Sequence, residues 1–158
     1  MLIGVYNNVI FFVIECEDVL KHELHARNID IISLQNSFTL LCHHLYPNKH
    51  HKTVKLIFKK DLNNKESYYL YGTETFHIHC IPERSILIEH LLHEFRHWIQ
   101  AIIQKKSVKM IDYDADDPNL TVYSKKYWHN PLEVDARRFV IKHRKRFMQY
   151  MDYFSAKD

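Results

Sequence analysis

The spacing of hydrophobic and polar positions changes several times along the chain, and those changes divide it into elements. Residues 2–6 and 9–14 are rich in β-branched and aromatic side chains and flank Asn7-Asn8, which predicts a strand pair or one strand broken at the asparagines. Residues 18–27 and 31–45 carry helical spacing, divided near Asn28 to Asp30 and closed by Tyr46-Pro47-Asn48. Residues 53–58, 68–71 and 75–81 alternate at period two, with Asn63-Asn64 and Gly72 between them, and predict three strands in an antiparallel run.

The longest helical pattern follows Pro82, over residues 83–105. At 100° per residue, Ile88, Leu91, Leu92, Phe95, Trp98, Ile99, Ile102 and Ile103 share one broad face, while His90, His93, Glu94 and His97 share the other. One side is thus expected to pack a core and the other to line a cleft. Residues 107–129 are polar and turn-prone apart from 120–123, a length that suggests a functional wall or lid. Asn130-Pro131 then reads as N-cap and first position of a last helix, with Leu132, Ala136, Phe139, Val140, Phe147 and Met151 as its apolar stripe.

At 158 residues, with 46% hydrophobic residues, 2 Gly and 4 Pro, the chain is expected to form one globular domain over 1–158 rather than a disordered segment. The formal net charge of +3 is too small to imply a nucleic-acid partner, and the basic run from Arg137 to Arg146 reads as a solvated helix face. Cys16, Cys42 and Cys80 form no C-x-x-C pair, which points to a reducing, cytoplasmic setting. No stretch reaches the roughly 18 apolar residues that a bilayer span requires, so no membrane association is expected.

The candidate chemistry lies in His93-Glu94-Phe95-Arg96-His97. On a helix, positions i and i+4 lie one turn apart on one face, so both imidazoles can reach one metal ion with the glutamate beside it to activate water. With 13 His in the chain the pentapeptide would arise by chance roughly one time in 15 to 20, so its context has to carry the argument. A catalytic zinc takes three protein ligands and keeps a fourth position for water. Glu133, at the start of the last helix, is the candidate third ligand. Asn130-x-x-Glu133 is also a capping-box pattern, and other histidines compete for the ligand role.

An H-E-x-x-H helix followed by Asn130-Pro131-Leu132-Glu133-x-x-Ala136 resembles small gluzincin-type metallopeptidases of phages and low-GC bacteria, the ImmA/IrrE-like proteins and their relatives. The likeness is specific over residues 91–98 and 130–139. It implies a compact α+β, zincin-like fold, with a small, mainly antiparallel sheet packed on the H-E-x-x-H helix and a C-terminal ligand helix. It also implies a Zn2+ ion on His93, His97 and Glu133, with Glu94 as the base in peptide-bond hydrolysis and a protein or peptide as substrate. Tyr127 and His129, just before the last helix, are candidates to stabilise the oxyanion. In zincin-like folds the strand preceding the active helix, here 75–81, commonly offers an edge to an extended substrate. Two other functions fit the same resemblance: a scaffold that binds a regulator or toxin partner without cutting it, and a SprT-like protease acting on DNA-bound proteins.

Overall fold

The computed structural model describes residues 11–16, 18–47, 53–58, 68–70, 75–78, 83–104 and 128–156. The expected strand at 2–6 and most of the polar stretch 107–129, Tyr127 included, lie outside the described residues. Strand β1 (Phe11–Cys16) leads into helices α1 (Asp18–Ala26) and α2 (Ile31–Leu45). Strands β2 (Thr53–Phe58), β3 (Tyr68–Leu70) and β4 (Thr75–Ile78) follow, then helices α3 (Arg84–Trp98) and α4 (Pro131–Ser155).

Local chemistry sets the helix boundaries. Asn28 adopts φ 57°, a left-handed conformation that asparagine tolerates better than most residues. This lets the Ile29 N–H donate to Leu24 O at 2.9 Å and the Asn28 N–H to His25 O at 3.0 Å, the paired bonds of a Schellman stop. Leu24 and Ile29, brought together by that turn, are both buried. Two residues later Asp30 caps α2, accepting from the Ser33 N–H at 2.9 Å and the Ser33 hydroxyl at 2.8 Å. Asn130 caps α4 by accepting from the Leu132 N–H at 2.9 Å, with Pro131 where a proline costs no backbone bond.

The sheet corrects the expected fold class. Its order is β1-β2-β4-β3, with β1–β2 and β2–β4 parallel and only β3–β4 antiparallel. A mainly antiparallel sheet in a compact zincin-like α+β fold is therefore not what the chain forms. The reason is connectivity: α1 and α2 lie between β1 and β2, and a long crossover returns a strand parallel to the one it left. Period-two alternation marks strands but carries no information about their order. β4 also lies between β2 and β3, so the strand expected to offer a substrate-binding edge is interior.

The described core lies between the helices. Phe38 of α2 packs against Phe95 of α3, with ring centroids 5.4 Å apart, and against Phe147 of α4 at 4.7 Å. Phe95 also meets Phe139 at 6.0 Å and stacks on Trp98 at 5.8 Å. All six residues of the stripe expected on α4 are buried. Phe38→Ala opens this three-helix junction and should cost about 3–5 kcal/mol, read by urea unfolding. A loss below about 1 kcal/mol would mean that the junction is not closely packed.

Candidate metal centre

The amphipathic split expected along α3 is present, with one difference. Leu87, Ile88, Leu91, Leu92, Phe95 and Trp98 are buried, and His90 on the opposite side is exposed. Yet Glu94 and His97 retain only 8% and 5% exposure. The cause is α4, which packs along α3 and covers the polar side as well. The α-helix also ends at Trp98 and not near residue 105, passing into a π-helical turn, Ile99–Ile103.

Glu133, in the first turn of α4, is 2% exposed and directs both carboxylate oxygens at the imidazoles of α3. Its Oε2 lies 2.9 Å from His93 Nε2, and its Oε1 lies 3.1 Å from His97 Nε2. The two Nε2 atoms are 3.1 Å apart. His93, His97 and Glu133 therefore present one ligand atom each within a single small volume. One ligand atom from each residue, all within 4.8 Å of one another, is a set that a single small cation can span. Two imidazoles and a carboxylate are also the donor types that zinc takes.

Charge points the same way. Burial alone would push the His97 imidazole down. The hydrogen bond to Glu133, the charges of Glu94 and Glu133 and a hydrogen bond to Gln100 outweigh it and raise the group to about 9. Burial works against ionisation of Glu133 too, but the two imidazoles hold its carboxyl well below the usual carboxylate range. A proton on His97 thus supplies the positive charge that the buried carboxylate requires, and a divalent cation bound there would take that proton's place.

Of the other residues anticipated at the site, His129 sits exposed in the turn before Asn130 and is not among the converging ligands. Three residues that sequence reasoning passed over stand directly behind the ligands. His97 Nδ1 donates to Gln100 Oε1 at 2.9 Å. The Gln100 amide in turn donates to Leu132 O at 3.0 Å and to Asp135 Oδ2 at 2.7 Å. Arg96 grips both oxygens of Asp135, at 2.8 and 3.2 Å, and lies over the Phe139 ring. The available signal was Gln100 itself, the single polar residue in the apolar run 98–103.

No family pattern, curated protein or solved structure matches this chain.

The raised His97 group makes the metal-free protein sensitive to alkali. A basic group whose folded value lies above its unfolded value of about 6.5 contributes stability in full below that value, and the contribution is lost as pH rises through about 9. With chelator present, the urea midpoint of the wild type should fall across this window by more than that of Glu133→Gln, which removes the carboxylate. Parallel pH profiles for the two proteins would refute the coupling.

Proposed function

We propose that the chain is a zinc-dependent hydrolase that cleaves peptide bonds. The observation that carries this reading is the convergence of His93, His97 and Glu133, with Glu94 buried between the two histidines of the motif and its charge among the causes that raise His97. A zinc ion on these ligands supplies Lewis acidity and brings a water molecule's pKa toward neutrality.

The chain's own residues supply the proton handling. Glu94, the residue next to His93, accepts a proton from the attacking water as the water oxygen bonds to the carbonyl carbon. As the carbon–nitrogen bond breaks, the same carboxyl passes that proton to the departing amine. Glu94 therefore ends each cycle as it began, and no other reactant is consumed. The substrate class is a protein or peptide. A cytoplasmic setting is part of the same reading, supported by three cysteines that form no C-x-x-C pair and suggest no disulfide framework. Among the described residues, no helix is long and apolar enough to cross a membrane.

The test is zinc stoichiometry and peptide cleavage in the wild type, Glu94→Gln and Glu133→Ala. Glu94→Gln should keep one zinc per chain and lose cleavage by a factor of about 10²–10⁴, the usual contribution of a positioned general base. Glu133→Ala should lose tight zinc binding. Full cleavage in Glu94→Gln, or stoichiometric zinc in Glu133→Ala, would defeat the reading.

A further inference from the structure

Resting on the metal reading above, a second argument concerns the nitrogen through which His97 binds, and it begins with the hydrogen bonds of Gln100. Gln100 is fully buried, and its amide NH2 faces two groups with only acceptor capacity, the Leu132 carbonyl and Asp135 Oδ2. Asp135 is committed as an acceptor because Arg96 offers it N–H donors at both oxygens, and a guanidinium has no acceptor to give. Turning the Gln100 amide round would set its carbonyl oxygen against two other oxygens on a side chain that is itself fully buried, at the cost of an unmet buried polar group.

The amide carbonyl is therefore fixed toward His97. A carbonyl can only accept, so Nδ1 of His97 has to carry a proton. In the neutral imidazole that a metal ion binds, that leaves the lone pair on Nε2, the atom that donates to Glu133 Oε1 at 3.1 Å when the site holds a proton instead. We propose that Arg96, Asp135 and Gln100 form a positioning relay that locks His97 as its Nδ1–H tautomer, so that Nε2 is always the atom offered to the metal. Gln100 connects this chain to the candidate ligands through its bond to His97 Nδ1. The relay spans α3, the π-helical turn and α4, so the docking that delivers Glu133 also aligns His97.

Two variants and two readouts test this. Gln100→Leu removes the acceptor. Asp135→Asn keeps the shape but introduces an amide that can turn its NH2 toward Gln100, which removes the reason for the orientation. Each should weaken zinc binding by about 10–100-fold in competition with a chelating indicator, the usual effect of losing an outer hydrogen-bond partner of a metal ligand. In metal-free, isotope-labelled protein, imidazole nitrogen NMR should show a proton held on Nδ1 of His97 and protected from exchange in the wild type, with that protection lost in both variants. The relay is overturned if wild-type His97 is the Nε2–H form, or if both variants bind zinc within about twofold of wild type. If wild type itself takes no zinc, the hydrolase reading fails alone, and the tautomer measurement still decides the relay.

Discussion

A carboxylate buried to 2% exposure is unfavourable unless its charge is met at close range, and Glu133 is the point around which the described structure is organised. Its place in the first turn of α4 helps, since unpaired backbone N–H groups there favour a negative charge. The larger compensation comes across the helix interface, from His93 and His97. Either a proton or a divalent cation can complete the group, and the two are mutually exclusive occupants. Proton uptake and metal uptake are therefore opposing processes at this one position.

That compensation requires α3 and α4 to meet in one register, and the packing supplies it. Gln100 meets Leu132, Arg96 meets Asp135, Glu89 meets Arg144 and Arg84 meets Asp152. Numbers fall along one helix as they rise along the other, so the helices run antiparallel. The outer ion pairs are solvent-exposed and contribute little each. The register is held by the buried aromatic junction of Phe38, Phe95, Phe139 and Phe147, with Arg96 placed over Phe139 so that its charge reaches Asp135. A ligand set carried on packed helices is held more closely than one carried on loops.

Much of this was legible in the chain. The helices at 31–45 and from Pro131, the strand at 53–58, the amphipathic split of α3 and the buried stripe of α4 follow from periodicity and capping, which are local properties. The convergence of His93, His97 and Glu133 was legible because H-E-x-x-H fixes two positions by helix geometry and the Asn130-Pro131 start marks where a third side chain could enter. Strand order was not, because it depends on which strand a crossover returns beside, and sequence-adjacent strands need not pair. The Gln100–Asp135–Arg96 chain was also hidden. Each of its residues is an ordinary helix former, and its meaning arises only when two distant segments are docked.

On the proposed reading, the interior position of β4 bears on how a substrate would reach the candidate metal centre. Over its described residues β4 is paired on both sides, so that stretch has no free row of backbone donors and acceptors to which an extended peptide could add. Approach has to be read from the exposure of the ligands instead. The side chain of His93 is 20% exposed, against 6% for His97 and 3% for Glu133. The centre is thus open on the His93 side, toward the exposed His90 one turn earlier in α3, and closed on the side where Gln100 supports His97. This asymmetry separates the two tasks of the site. Under the proposed function, the closed side would hold His97 in one protonation pattern, and the side of His93 would be the one where water and a carbonyl group arrive.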